Sequence, residues 1–368
     1  MPSVLAMATL AVLWTVGHDW LEHPGEQLLR TAGLFVWLFA VILWCSVGVM
    51  RHADVLAHRL GEPFGALILT LSAVTIEVSI IAVIMLVGED NPALARDTMF
   101  AILMIILGGL VGVSLLAGGL RHHVQSYNLE GARFFLVVLL PLATITLILP
   151  NYTLSTADPT LTPLQGALFG SFTLLLYGEF LLMQTRRHRE FFQGPDEAPA
   201  HKTAHHPDQP LPAEPVPLRS TPYHVILLIV TLVPIPLLAH EFAIIVEFGI
   251  FVLDLPPAIA GVLVATLVLT PEGLSAVKAA LENQMQRAVN LLLGSALSTI
   301  GLTVPVVLIV SLVTGHPLIL GLKEEDALLL VLTLLVSSLT FSGARTDMLK
   351  GAVHLLLFAV FIVLIIQP

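Results

Sequence analysis

Long apolar runs, separated by short polar breaks, recur along the whole chain. A helix needs about 20 mostly apolar residues to cross the hydrocarbon core of a bilayer. Runs close to this length lie at approximately 2–17, 30–50, 63–88, 98–120, 133–150, 163–184, 222–240, 257–280, 290–314, 325–342 and 350–366. Only 11% of the residues are charged, whereas soluble domains carry about 25%. We therefore predict an all-α integral membrane protein with about 11 transmembrane helices.

Charge and cysteine content exclude several classes of protein. The 16 Lys and Arg residues against 26 Asp and Glu leave a formal net charge of −10, which removes the electrostatic basis for nucleic-acid binding. The single cysteine, Cys45, excludes an internal disulfide and a cysteine-based zinc site. No phosphate-binding loop or hydrolase-like Ser/His/Asp spacing stands out. The first run lacks a clear signal-peptide cleavage site, so we expect a retained helix. We also expect membrane lipid and inorganic cations as partners, with no obligatory protein partner.

One long polar segment, at about 186–221, interrupts the apolar pattern. It is rich in Pro and His and cannot bury a core, which predicts a linker. If this linker is cytoplasmic and the runs alternate sides, 13 of the 16 basic residues lie on the cytoplasmic side. That bias agrees with the positive-inside rule. It predicts a multi-pass protein of a bacterial inner membrane, with the N-terminus inside and the C-terminus outside.

The linker separates two sets of five runs. We assign 1–29 to a first helix and external loop, 30–185 to a first repeat, 186–221 to the linker and 222–368 to a second repeat. Because each set has an odd number of crossings, equivalent helices pass through the membrane in opposite directions. Inverted repeats of this kind are typical of secondary transporters, whose ion sites lie near the midplane between the repeats.

A Thr-x-Glu motif occupies the same place in both repeats. The second run of the first repeat contains Thr75 and Glu77, and the second run of the second repeat contains Thr270 and Glu272. Each motif follows a proline that opens its helix. Three matching residues are a weak signal alone, but their agreement with repeat position and topology strengthens it.

Glu77 and Glu272 are the main candidate functional residues. A charge at the bilayer centre costs about 2.5–3.5 kcal/mol on translocon scales and is usually retained for a function. Pro271 and Gly273 predict a break in the helix of Glu272, which frees backbone carbonyls for a cation. Two carboxylates with such oxygens suit Ca²⁺, Na⁺ or Mn²⁺, and they bind protons when the cation is absent. The alternative for each Glu is a structural hydrogen bond between helices.

Hydroxyl groups near the two motifs are candidate additional ligands. Thr75 and Thr270 are adjacent to the glutamates in sequence, although such hydroxyls also bond to carbonyls of their own helix. The run at 291–301 carries serines and small residues at helical spacing, which also fits close helix packing. The equivalent run at 107–112 has the glycines without the serines.

Further ionisable residues lie at membrane depth or at helix ends. Gates or parts of a proton route are predicted at Asp54, Glu179, Glu241, Glu247 and His354. The alternatives are interhelix hydrogen bonds and interfacial helices with one wet side.

These elements together resemble the cation/Ca²⁺ exchanger superfamily, and most closely its bacterial ChaA-like calcium/proton antiporters. The resembling segments are 61–79, 269–301 and the ending at 346–355. With the shared topology, the resemblance extends over nearly the whole chain.

The resemblance implies particular roles for residues of this chain. In that superfamily one Glu from each inverted repeat forms the central cation site, which implies Glu77 and Glu272. Serines of the following helix often assist, which implies Ser295 and Ser298. Many similar exchangers carry a Gly-Asn-Ala-Thr-Glu motif, but neither motif here contains the Asn. Na⁺ and K⁺ therefore stay open as alternatives to Ca²⁺.

We expect a secondary active antiporter, not an enzyme, that exports cytoplasmic Ca²⁺ in exchange for protons and uses no cofactor. The cation and the protons would compete for Glu77 and Glu272. Exchange of Na⁺ or K⁺ for protons on the same scaffold is the nearest alternative. A passive cation channel and an intramembrane enzyme are alternatives of other classes, and two isolated acids on inverted helices favour an exchanger over both.

Overall fold

The computed structural model describes residues 2–17, 20–21, 24–25, 27–60, 64–87, 92–156, 158–194, 220–315 and 318–367. Most of the predicted linker, residues 195–219, lies outside the described residues. Residues 61–63, which include the proline before the first Thr-x-Glu motif, lie outside them as well.

Helices form most of the described structure. The part before the linker contains α1 (Pro2–Thr15), α2 (Leu28–Leu60), α3 (Phe64–Val87), α4 (Leu94–Met104), α5 (Val111–His122), α6 (Leu129–Leu147) and α7 (Pro163–Leu182). The part after it contains α8 (Thr221–Leu232), α9 (Pro234–Val252), α10 (Ala258–Leu281), α11 (Met285–Ser298), α12 (Val304–Thr314), α13 (Glu324–Thr340) and α14 (Met348–Ile366). Two short strands, β1 (Gln125–Ser126) and β2 (Arg345–Thr346), pair antiparallel and join the start of α6 to the start of α14.

Eight helices within the described residues are long and apolar enough to cross a membrane. They are Leu28–Ala57, Leu94–His122, Leu129–Leu147, Pro163–Arg187, Thr221–Val252, Ala258–Leu281, Met285–Thr314 and Met348–Ile366. Pro2–Thr15 and Thr70–Val83 are shorter apolar helices. The predicted all-α membrane architecture is confirmed, whereas the number of 11 crossings and the inverted repeat stay predictions.

Two helices continue past a proline. Pro234 begins α9, and α8 and α9 join at Val233 into one helix of 32 residues, Thr221–Val252, which extends beyond the predicted run at 222–240. The expected break at Pro271 is absent, because α10 is helical from Ala258 to Leu281. Proline lacks the N–H that the helix needs, but membrane helices tolerate it where hydroxyls and neighbouring helices compensate.

Two long helices are instead interrupted by π-helical segments. We call Leu94–His122 the first π helix, because Ile105–Leu110 lies between α4 and α5 in π geometry. We call Met285–Thr314 the second π helix, because Thr299–Thr303 lies between α11 and α12 in the same geometry. Such segments are rare and are often found at functional sites. Both pack in the middle of the helix bundle, where their residues are largely buried.

Small residues allow the helices around these segments to lie close together. A Cβ on Gly351 of α14 would lie 2.8 Å from the Gly112 carbonyl oxygen of α5. A Cβ on Gly261 of α10 would lie 2.8 Å from the backbone nitrogen of Thr98 in α4. Close backbone approach of this kind is how membrane helices gain packing without a hydrophobic driving force.

The described start of the linker is anchored to the bundle. After α7 the chain forms a π turn at Met183–Arg187 and a short 3-10 helix at Arg189–Phe192. The Asn290 side-chain amide of α11 donates to the Phe192 carbonyl oxygen over 2.7 Å. The first linker residues therefore lie against the base of the second π helix.

Candidate cation-binding site

Glu77 lies in α3 and is almost completely buried, with 2% of its surface exposed. Both of its carboxylate oxygens accept hydrogen bonds from the second π helix. The Thr299 hydroxyl donates to Oε2 over 2.8 Å, and the Thr303 hydroxyl donates to Oε1 over 2.6 Å. The carboxylate is thus held between a helix of the first predicted repeat and a helix of the second.

Glu272 lies in α10 and is also buried, with 6% of its surface exposed. Its Oε2 accepts a hydrogen bond from the Ser295 hydroxyl over 2.5 Å. Ser295 lies in α11, so this bond joins two consecutive helices of the second predicted repeat. A hydrogen bond to a charged group contributes about 1.5–3 kcal/mol, so each of these hydroxyls offsets part of the cost of burying a carboxylate.

The three donor hydroxyls form one row along the second π helix. Ser295, Thr299 and Thr303 follow each other at intervals of four residues. Four residues advance a helix by about 6 Å and return nearly to the same face. The row therefore brings the carboxylates of Glu77 and Glu272 to one face of a single helix, about one turn apart.

The local sequence explains why the helix is irregular at this point. Pro305 is the second residue of α12 and has no N–H to donate to a carbonyl in the preceding turn. Gly301 lies within the π segment, and a Cβ there would approach Cγ of Tyr177 in α7 to 2.6 Å. The missing donor loosens the regular hydrogen-bond pattern, and the missing side chain lets α7 pack directly on the widened turn.

Three hydroxyls expected at the site bond to their own helices instead. Thr75 is exposed and donates to the Leu71 carbonyl oxygen over 2.5 Å. Thr270 donates to the Thr266 carbonyl oxygen over 2.6 Å. Ser298 is buried, but its hydroxyl donates to the Ser295 carbonyl oxygen over 3.0 Å.

Thr299 and Thr303 were not singled out by the sequence analysis, although they contact Glu77 directly. The available signal was the four-residue spacing that continues from Ser295. The resemblance to the exchanger superfamily implied Ser298, which lies on a neighbouring face of the same helix. The rotation of the helix through its π segment decides which hydroxyls face the carboxylates.

Two of the predicted gate residues make contacts between helices. Asp54, near the end of α2, lies 3.8 Å from the guanidinium of Arg287 at the start of the second π helix. Glu241 in α9 is buried and accepts a hydrogen bond of 2.9 Å from the Trp14 indole in α1. The contact of Asp54 involves the second π helix, which carries the hydroxyl row, whereas the contact of Glu241 joins α1 to α9.

The remaining predicted route residues lie in different surroundings. Glu179 in α7 and Glu247 in α9 are exposed on the outside of the helix bundle. His354 in α14 is completely buried. Its ring contacts the first π helix and α13 rather than either central glutamate.

The site is chemically an oxygen site. Two carboxylates and three hydroxyls converge, which suits hard cations such as Ca²⁺ that take 6–8 oxygen ligands. Within the described residues, no group of three or more His, Cys, Asp or Glu side chains is placed to hold a metal ion. The oxygens of the two carboxylates and of the three hydroxyls are therefore candidate ligands for such a cation.

Comparison with known proteins places the chain in a family. Residues 30–186 and 223–367 match the family described as sodium/calcium exchanger protein. The sodium-potassium/proton antiporter ChaA of Escherichia coli (strain K12) is 42% identical over 324 residues, which cover 88% of this chain and 86% of that protein.

Solved structures share the fold. The structure of native YfkE superposes with a TM-score of 0.73 at 17% identity and covers 100% of both chains. A second structure of YfkE names it a Ca²⁺/H⁺ antiporter protein. The sodium-calcium exchanger NCX_Mj superposes with a TM-score of 0.55 at 16% identity, covering 92% of this chain and 99% of its own. The chain belongs to the sodium/calcium exchanger family of membrane cation antiporters.

Proposed function

We propose that this chain exports Ca²⁺ in exchange for protons, and that Glu77 and Glu272 bind both in competition. One observation carries the proposal. Two buried carboxylates, one from each predicted repeat, accept hydrogen bonds from a single row of hydroxyls on the second π helix. The same oxygens are available to a cation and to protons.

Charge balance explains why such a site exchanges rather than simply binds. Burying an ionised carboxylate costs several kcal/mol in proteins, so two neighbouring ones need compensation. One Ca²⁺ supplies two positive charges, and two protons neutralise the same two groups. The site is electrically balanced when it holds either one Ca²⁺ or two protons, and it is unbalanced when it is empty. Release of one cargo is therefore linked to binding of the other.

The predicted inverted repeats supply a route for alternating access. With 30–185 and 222–368 as the two repeats, the glutamates lie where the repeats meet. The first helices of each repeat, α2 and the joined α8 and α9, would move past the helices that carry the site. Rocking or sliding of one helix group against another is the usual form of alternating access in such transporters. The N-terminus inside and the C-terminus outside complete this proposed arrangement in a bacterial inner membrane.

Exchange of Na⁺ or K⁺ for protons is the second candidate. It is favoured by the name of the Escherichia coli relative, a sodium-potassium/proton antiporter with 42% identity. A monovalent ion neutralises one carboxylate only, so the other keeps a proton during cation transport. Each Na⁺ or K⁺ would then exchange for one proton, against two protons for each Ca²⁺.

Transport by purified protein in liposomes tests both candidates. A pH gradient is imposed, and uptake of Ca²⁺, Na⁺ and K⁺ is measured separately together with proton movement. Uptake of Ca²⁺ that follows the gradient supports the first candidate. Uptake of Na⁺ or K⁺ alone replaces it with the second, and cation flux that ignores the gradient contradicts both and indicates a channel.

Variants of the glutamates test the site itself. Glu77→Gln and Glu272→Gln each remove one charge while keeping the shape, and each is expected to abolish gradient-driven uptake. Glu282→Gln is the matched control, because Glu282 caps the same helix as Glu272 but is half-exposed beside Lys278. Normal exchange in either central variant would contradict the proposed two-carboxylate site.

A further inference from the structure

His354 is a completely buried ionisable residue that the proposed exchange does not use. It lies in α14, and both ring nitrogens are engaged. Nδ1 lies 2.5 Å from the Leu107 carbonyl oxygen, and Nε2 lies 2.9 Å from the Thr340 hydroxyl. A carbonyl only accepts hydrogen bonds, so Nδ1 must carry the proton. In the neutral ring Nε2 then accepts from the Thr340 hydroxyl, and the partners thereby determine the tautomer.

The Leu107 carbonyl belongs to the π segment of the first π helix, Ile105–Leu110. The face of α14 that carries His354 is pressed onto this segment. A Cβ on Gly108 would lie 3.1 Å from Cβ of Phe358, which is one turn beyond His354. The histidine therefore bonds to the backbone of the π segment where α14 already packs tightly against it.

The other end of the π segment reaches the helix of Glu272. Leu110, its last residue, packs on Gly273 in α10. A Cβ on Gly273 would lie 2.6 Å from Cδ2 of Leu110, so no larger residue fits without a shift. Gly273 directly follows Glu272 in the chain. Displacement of Leu110 would thus loosen α10 next to the carboxylate.

We propose that His354 is a positioning residue for the cation site. Through the Leu107 carbonyl it holds the first π segment in place, and Leu110 in turn holds the backbone beside Glu272. The inference rests on the proposed role of Glu272 in binding the transported cation. In this role the ring contributes its Nδ1–H hydrogen-bond donor to the transport cycle and does not itself carry a proton.

Two isosteric variants separate the two ring nitrogens. In His354→Asn the amide N–H lies near the position of Nδ1 and keeps a donor for Leu107. In His354→Gln the amide lies near the position of Nε2 and leaves the Leu107 carbonyl without this donor. The variants are reconstituted in liposomes, and initial uptake rates are measured over a range of Ca²⁺ concentrations, or of Na⁺ or K⁺ if the wild type transports those.

The loss of one buried hydrogen bond predicts a rise of about tenfold in the half-saturating cation concentration for His354→Gln, with the maximal rate changed less than the affinity. His354→Asn is expected to stay close to the wild type. Equal behaviour of the two variants, or a change in maximal rate alone, would overturn the positioning role. If the wild type shows no cation–proton exchange, the proposed function itself is overturned. If the wild type exchanges and His354→Gln behaves like it, only the positioning role is overturned.

A second variant addresses the same coupling from its other end. Leu110→Ala removes the contact with Gly273 without touching His354, and it remains informative if His354→Gln does not fold. Its half-saturating concentration is expected to rise in the same direction, and the double variant with His354→Gln is expected to show less than the sum of the two effects. An unchanged affinity in Leu110→Ala would contradict the proposal.

Discussion

The first and second π helices share an irregularity of the backbone but differ in the chemistry of the side chains at that point. Each is interrupted by a π segment that contains glycine, Ile105–Leu110 in the first and Thr299–Thr303 in the second. The first segment contains no hydroxyl side chain, and its Leu110 presents an apolar contact to α10. The second carries two threonines, and both donate to Glu77.

The packing around the two segments is similar. Phe358, from the last helix after the linker, covers the glycines of the first segment. Tyr177, from the last long helix before the linker, covers Gly301 in the second. An aromatic ring from the other predicted repeat therefore lies over each widened turn. The shared feature is the packing, and the hydroxyl row is an addition found in the second π helix.

This difference makes the two glutamates unequal. Glu77 accepts two hydrogen bonds from the opposite predicted repeat, whereas Glu272 accepts one from its own. The two carboxylates therefore depend to different extents on the second π helix. Inverted sequence motifs do not require equivalent surroundings, and the structure shows that these two motifs have different ones.

Removal of both hydroxyls from Glu77 is expected to have the largest effect. Thr299→Val with Thr303→Val keeps the shape of both side chains but leaves the buried carboxylate without these donors. At about 1.5–3 kcal/mol for each bond to a charged group, the apparent cation affinity should fall on the order of a hundredfold or more. The concentration dependence of uptake in liposomes measures this. An effect no larger than that of Ser295→Ala would remove the distinction between the two carboxylates.

Ser295→Ala removes the single donor to Glu272, and a fall in cation affinity of about tenfold is expected. Ser298→Ala in the same assay distinguishes the structure from the sequence expectation. The Ser298 hydroxyl bonds to a carbonyl of its own helix, so its removal should change affinity by less than Ser295→Ala. A larger effect from Ser298 would indicate that this face of the helix binds the cation during transport.

Replacing a glycine of each π segment by alanine tests the packing that the two segments share. Gly301→Ala forces Cβ to within 2.6 Å of Tyr177, and overpacking of this kind costs about 1–3 kcal/mol. Gly109→Ala in the first segment meets Phe358 at 3.4 Å, which is an ordinary contact. The thermal unfolding midpoint in detergent should therefore fall clearly for Gly301→Ala and little for Gly109→Ala. Equal shifts would indicate that the two segments tolerate added volume equally.

The smallest effect is expected at Asp54. Its ion pair with Arg287 joins α2 to the start of the second π helix, but the two side chains are 46% and 51% exposed. Surface ion pairs contribute about 0–1 kcal/mol, so Asp54→Asn should change the transport rate by no more than about fivefold. Rates measured at low and high ionic strength check this, since screening weakens the pair. A much larger loss would support the predicted gate at this position.

Several features of the chain were accessible from sequence because they depend on composition and spacing. Apolar runs predict membrane helices wherever about 20 residues avoid charge. Glu77 and Glu272 stand out against such runs because a charge at membrane depth is costly. Thr299 and Thr303 do not stand out, because a threonine in a membrane helix usually bonds to its own backbone, as Thr270 does here.

The sequence by itself therefore determined the membrane class of this protein and its two central acids. The tertiary structure alone decided which hydroxyls reach those acids, that Pro271 leaves α10 continuous, and that His354 bonds to a carbonyl in a distant helix. The physical reason is that hydropathy and charge act on each segment separately. The direction in which a side chain points depends on the rotation of its helix. Here that rotation is set by the π segments and by aromatic rings of other helices that pack on the glycines of these segments.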